Sequence, residues 1–381
     1  MSQAKKIYFE NLDGLRFIAF FLVFMHHMIK FDFVVEIPVL KEIVDLIFHA
    51  GKVGVNFFFV LSGFLISYLI FEESERFGKL NLKKFYVRRT LRIWPLYFLV
   101  LIFGFWIYPY LKSFIGIETE LTNLPMYYFT FLANFDVLDI YSSIRDGKSA
   151  LMLDITWSVA IEEQFYLFWP LIFIFFSKKR IWLLIMTLIM LFSIAFKLYH
   201  AEENLLNYYH TFACLYFLAL GGIGAYFVMY SNVFKQKLAN LPKGLIFLIY
   251  LVGWTVMVMI GQTGQMTKVI LSLISGAFYL FVILDQNFSK YSFYKIGSLK
   301  CLTNLGKYTY GLYLLHPIGI QVSIVLIKYL NIENLSNTQV FMFNLLSFVC
   351  TLCFAWASFH YFELYFLKIK SKFALLKTGR N

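Results

Sequence analysis

The residues best suited to chemistry stand in one apolar stretch near the start of the chain, Leu12–His27, reading LDGLRFIAFFLVFMHH. It is apolar enough to enter a membrane, yet it carries Asp13, Arg16, His26 and His27. Ionisable groups in a membrane segment cost free energy and are usually retained for a function. Arg16 and His27 are eleven residues apart, close to three helical turns, so they share a face about 16 Å apart along the axis. A guanidinium near one membrane surface and an imidazole deeper on the same side suit a molecule bound lengthwise. The structural alternative is a snorkelling arginine and a satisfied core histidine. Adjacent helix positions point about 100° apart, so His26 faces another helix or the lipid headgroups.

A second stretch, Thr156–Pro170 (TWSVAIEEQFYLFWP), supplies Glu162. If this span starts at the outer surface, Glu162 lies roughly 9 Å below it, while His27 lies roughly 22 Å from the cytoplasmic side. Across a hydrocarbon thickness of about 30 Å the two reach nearly one level. A histidine held by a carboxylate is a general base for a hydroxyl proton; a structural His27–Glu162 ion pair is the other reading. The stretch Lys79–Trp94 (KLNLKKFYVRRTLRIW) gathers Arg88, Arg89 and Arg92. Such a cluster can bind lipid headgroups or the phosphates of a cytosolic ligand, which arginine forks match bidentately. Ser62 and Gly63, near mid-depth in a further span, allow close approach of a neighbouring helix or of a ligand tail. His316, in LGKYTYGLYLLHP at 305–317, is a second intramembrane histidine beside Pro317, where a kink is expected.

These groups need helices to hold them at depth. Of 381 residues, 60% are hydrophobic and only 15% charged, more apolar surface than one soluble core of this length requires. Apolar runs of bilayer length recur near residues 12–31, 53–71, 94–111, 156–176, 181–199, 211–230, 244–261, 267–285, 306–328 and 340–366. The expectation is all-α: a polytopic transmembrane helix bundle of about ten spanning helices. It forms one integral-membrane domain over residues 1–381, with no appended soluble domain. Basic clusters at Lys5–Lys6, Lys79–Arg92, Lys178–Arg180, Lys235–Lys243, Lys290–Lys300 and Lys368–Arg380 fall in every second loop. That alternation puts both termini in the cytoplasm. The net charge of +12 is then loop charge, and no nucleic-acid partner is expected. Met126–Leu138 is too short to cross and reads as a re-entrant or interfacial helix on the outer side. Cys350 and Cys353 form a CxxC inside a span without a second pair, which reads as packing; no metal is expected. No internal repeat is visible, and the unequal halves argue against an inverted-repeat transporter.

Five stretches, LDGLRFIA…HH at 12–27, GVNFFFVLSGFLI at 54–66, FYVRRTLRIWPLY at 85–97, TWSVAIEEQFYLFWP at 156–170 and LGKYTYGLYLLHP at 305–317, resemble in type and order the acyltransferase-3 family. That family includes the O-antigen and exopolysaccharide acetyltransferases. The resemblance implies ten transmembrane helices and acyl transfer from cytoplasmic acyl-CoA to an extracytoplasmic hydroxyl. The family's arginine-ten-histidine motif falls on Arg16 and His27, its RxxR motif on Arg89 and Arg92, and its glutamate on Glu162. Asn56 stands where the family often has an acid, and Tyr365 where a proline usually follows the last helix's glutamate. The esterase-like domain that some relatives carry is not expected.

The combined expectation is a membrane-embedded O-acyltransferase of the inner (plasma) membrane. Its donor is acyl-CoA, most simply acetyl-CoA, held on Arg88, Arg89 and Arg92, with Ser62 beside it and Arg16 lining the entry. His27, oriented by Glu162, activates a hydroxyl of an extracytoplasmic glycan or glycolipid; a transient acyl-His is the mechanistic alternative. The competing function is a transporter or flippase for a lipid-linked sugar. The outer segment Asp139–Asp154 is expected to help select the acceptor, and membrane lipids surround the whole.

Overall fold

A computed structural model describes residues 7–28, 51–114, 122–142, 151–260, 263–330, 332 and 335–376. No strand occurs among the described residues; the secondary structure is helical. Helix α1 is Glu10–His27, α2 Gly51–Phe77 and α3 Leu82–Ile102, which continues through a π-turn at Phe103–Ile107 into α4, Tyr108–Phe114. Two short helices follow, α5 Pro125–Phe129 and α6 Ala133–Tyr141. Next come α7 Leu151–Asp154, α8 Thr156–Phe175, α9 Lys179–Tyr199, α10 Asn204–Tyr209 and α11 Thr211–Tyr230. The chain then forms α12 Asn232–Ala239, α13 Lys243–Met259, α14 Gln265–Phe288, α15 Lys300–Gly306 and α16 Thr309–Tyr329. Helix α17, Asn337–Ser358, passes through a second π-turn at Phe359–Glu363 into α18, Leu364–Lys372.

Among the described residues, eight helices are long and apolar enough to cross a membrane, or nine if the pair α12–α13, bent by 91°, is one span. Every expected span except the first coincides with one of these. The first coincides with α1, whose Glu10, Asp13 and Arg16 make it too polar to count by composition alone. This is a multi-pass helical membrane bundle. The expected re-entrant or interfacial helix at 126–138 is instead two helices, α5 and α6, broken where Phe131 takes a φ of 57°. A phenylalanine in that conformation is unusual; its ring stacks on Tyr97 at 4.8 Å. Lys5, Lys6, Lys377, Arg380 and residues 143–150 of the expected acceptor-selecting segment lie outside the described residues.

The centre of the bundle is α2. A Cβ on Gly63 would fall on the Leu218 carbonyl of α11, and one on Gly221 would fall on the Val60 carbonyl. Small residues thus let the two backbones touch, as membrane helices require where no hydrophobic effect drives association. Helix α1 lies against α2, α15 and α16, and α16 pairs along its length with α17. Pro95, Pro170 and Pro317 sit inside α3, α8 and α16 without ending them.

Candidate active site

Arg16 stands one turn beyond Asp13 on α1, and the two form an ion pair of 2.7 Å. Tyr8 donates to the other oxygen of Asp13 at 2.7 Å, so the aspartate fixes the arginine rather than leaving it free to snorkel. On α3, Asn81 caps the first turn by accepting from the Lys84 amide at 3.0 Å, as N-cap asparagines do. Buried Glu73 of α2 accepts from the Asn81 amide at 2.9 Å and from Arg88 Nη2 at 2.7 Å. The start of the arginine helix is thereby locked to α2.

Three of the expected cations meet. Arg16, Arg89 and Arg92 line one cavity of about 150 Å³, together with Ser62 and Glu162. Tyr166 orders its wall: its hydroxyl donates to Glu162 at 2.8 Å and is hydrogen-bonded to Ser62 Oγ. The Arg89 guanidinium lies 5.7 Å from the centres of the Phe85 and Tyr166 rings. Buried Arg89 Nε has no hydrogen-bond partner among the described residues. A buried guanidinium N–H without an acceptor costs free energy unless a ligand supplies one. Glu163 turns away from Glu162, accepting from Trp94 Nε1 at 2.8 Å.

Arg88 departs from its expected place. It is absent from the cavity wall, and its guanidinium is committed to Glu73 and, at 3.2 Å, to the carbonyl of Phe373. Consecutive helical residues point in different directions, so Arg88 anchors α3 while Arg89 faces inward.

His27 also departs from expectation. Its Nδ1 lies 2.9 Å from the Val23 carbonyl and 3.2 Å from His316 Nε2. Glu162 is not its partner. Helix α16 stands between the two: Tyr313 bonds Ser158 of α8 at 2.6 Å on one side, and His316 bonds His27 on the other. Equal depth on two helices therefore did not make them neighbours. Neither His27 nor His316 lines the cavity, whose wall includes Tyr313. His26 packs against Gly51 of α2, in agreement with its assignment to another helix.

The bonds of His27 fix its tautomer. A carbonyl only accepts, so Nδ1 carries a proton. His316 Nδ1, at 2.6 Å from the Tyr313 carbonyl, likewise carries one, which leaves His316 Nε2 to share the single Nδ1 proton of His27 with the Val23 carbonyl. The lone pair of His27 is then on Nε2, as a general base requires.

The sequence pointed to neither Tyr166 nor the partnership of His316 with His27. Tyr166 was within reach: it lies four residues after Glu162, one turn along the same face. No group of three or more His, Cys, Asp or Glu placed to hold a metal occurs among the described residues.

Comparison with known proteins gives the family. The profile of the family described as "Acyltransferase domain" matches residues 9–360. O-acetyltransferase OatA of Staphylococcus aureus (strain NCTC 8325) is 27% identical over 331 residues, covering 81% of this chain and 50% of that protein. Peptidoglycan O-acetyltransferase OatA of Listeria monocytogenes (serovar 1/2a) is 30% identical over 179 residues, covering 45% of this chain and 25% of that protein. The chain spans half or less of the length of these relatives. No solved structure matches it. With a profile running from the start of α1 into the π-turn after α17, and enclosing every cavity residue and both paired histidines, the chain belongs to the acyltransferase-3 family.

Proposed function

We propose that this chain is a membrane-embedded O-acyltransferase that moves an acyl group, most simply acetyl, from cytoplasmic acyl-CoA to a hydroxyl of an extracytoplasmic glycan or glycolipid. One observation carries the reading: Arg16, Arg89 and Arg92 line a single cavity with Ser62 and Glu162, and Arg89 Nε has no partner among the described residues. Inward arginines of this kind suit the phosphates of a donor that enters from the basic end of the bundle. The names of the relatives, O-acetyltransferase and peptidoglycan O-acetyltransferase, support an acetyl donor and a glycan acceptor. The membrane is the inner (plasma) membrane, with both termini in the cytoplasm, as the loop charges favour.

In this reading His27 Nε2 removes the proton of the acceptor hydroxyl. The oxygen forms its bond to the thioester carbonyl carbon, the carbon–sulfur bond breaks, and His27 returns the proton to the thiolate of CoA. His316 Nε2 accepts from His27 Nδ1 and holds the ring while it is charged, the place a carboxylate takes in hydrolase triads. Glu162 belongs to the donor cavity rather than to the base. Tyr313, on the cavity wall and bonded to Ser158, must move for the thioester to reach His27.

The reading is tested by binding of acetyl-CoA to the purified protein, with Arg89→Glu as control. Saturable binding to the wild type that the substitution abolishes is the expected result. No binding by the wild type contradicts the donor and favours transport of a lipid-linked sugar.

A further inference from the structure

The cavity that Arg16, Arg89 and Arg92 line has two unlike ends. Its wall follows α2 from Val55 to Ile66 and α8 from Ser158 to Tyr166, about 16 Å and about 12 Å of helix. At the polar end Tyr166 bonds Ser62 and Glu162, and the Arg89 guanidinium lies 5.7 Å from the centre of the Tyr166 ring. One turn back along α2 from Ser62, the Phe58 ring meets the Tyr313 ring edge to face, centres 6.1 Å apart. Two turns back along α8 from Tyr166, Ser158 bonds the Tyr313 hydroxyl at 2.6 Å.

This second end is apolar. Val55, Phe58, Phe59, Val159 and Tyr313 line it with Ser158. The hydroxyls of Ser158 and Tyr313 bond each other and also meet the Ile155 carbonyl, at 3.3 and 3.1 Å, so their protons are committed within the protein. A carboxylate placed here would lose its hydration and gain no free donor. The end is also shut. Behind Tyr313 stands His316, ring centres 5.9 Å apart, and behind Phe59 stands Trp157, ring centres 6.1 Å apart. The whole cavity holds about 150 Å³, so this part of it has room for a few carbons and not for a long chain.

We propose that this end seats the acyl group of the donor, and that Phe58 and Tyr313 restrict it to a short, uncharged chain. The inference rests on the acyl-CoA reading above: a donor whose phosphates lie at the arginines points its acyl end at these two rings. Tyr313 then stands between the acyl group and the paired histidines. A longer chain has to displace one of the rings, and forcing extra methylenes into a packed site is unfavourable.

The test measures binding of acetyl-, butyryl- and succinyl-CoA to the full chain in neutral detergent, for the wild type, Phe58→Ala, Phe58→Leu and Leu65→Ala, which trims the wall toward the arginine end. The wild type should bind butyryl-CoA about ten-fold more weakly than acetyl-CoA, the scale of a misfitting methylene. Succinyl-CoA, of the same chain length but charged, should bind more weakly again. Phe58→Ala and the milder Phe58→Leu should bring butyryl-CoA to within a few-fold of acetyl-CoA and leave succinyl-CoA excluded, and Leu65→Ala should keep the wild-type order. Equal binding of acetyl- and butyryl-CoA by the wild type, or an unchanged ratio in both Phe58 variants, overturns the assignment of the two rings while leaving acyl-CoA as the donor. Binding of succinyl-CoA as tight as that of acetyl-CoA overturns the uncharged acyl group. Where a Phe58 variant does not fold, the order in the wild type decides by itself. Failure of the wild type to bind any of the three overturns the donor reading and this inference with it.

Discussion

His27 Nδ1 and His316 Nε2 lie 3.2 Å apart, on helices far apart in sequence. Each ring also meets a backbone carbonyl through Nδ1, Val23 for His27 and Tyr313 for His316. The pair therefore has one direction of hydrogen bonding, from His27 to His316, and the lone pair of His27 stands on Nε2, where the proposed base needs it. If His316 positions and stabilises that base, His316→Ala should lower kcat by about 100-fold, the usual scale for such support. The KM for acetyl-CoA should stay within a few-fold, and His316→Gln, which keeps an acceptor, should restore part of the rate. Loss of donor binding in step with kcat, and no rescue by glutamine, would mark His316 as merely structural.

The two neighbouring arginines of α3 should behave differently. Arg89→Ala should raise the KM for acetyl-CoA by about ten- to a hundred-fold, as loss of a charge-assisted phosphate contact does. Thermal stability should change little. Arg88→Ala should do the reverse, because it strands Glu73, which is 1% exposed, without its cation. Breaking such a pair costs about 3 kcal/mol. Thermal midpoints and KM values for the two variants check the contrast; a higher KM for Arg88→Ala at unchanged stability would return Arg88 to the donor site.

Gly63 and Gly221 make the contact between α2 and α11. Gly63→Ala and Gly221→Ala each force the Leu218 or Val60 carbonyl to move, and overpacking of this kind costs about 1–3 kcal/mol. Detergent-solubilised midpoints should fall in both variants, while a substitution at the exposed Gly244, where an added Cβ meets nothing, should leave the midpoint unchanged. Equal stability of all three would mean that the helices are not as close as they stand here.

Most of the bundle was legible in the sequence because apolar length and alternating loop charge are local signals. Met126–Leu138 was recognised as too short to cross, but its break at Phe131 depends on the rings of Tyr97, Trp94 and Phe98 that surround it. Of the residues expected around the donor, Arg16, Arg89, Arg92 and Ser62 share one cavity, which Glu162, expected beside His27, also lines. The pairing of His27 with Glu162 was not legible. It rested on depth, and depth along two helices says nothing about the helix between them. That helix, α16, was visible in sequence as the carrier of His316, but its lateral position is set by packing against α1 and α17, which one sequence does not reveal. Arg88 was misplaced because composition gathers three arginines where helical geometry separates them.

The central claim is that donor binding and base catalysis reside in different residues of one transfer enzyme. Inside-out membrane vesicles from cells expressing wild type or His27→Ala, supplied with radiolabelled acetyl-CoA, measure it most directly. The account predicts that both proteins bind acetyl-CoA, but only the wild type transfers label to glycan. Equal labelling by His27→Ala would contradict it.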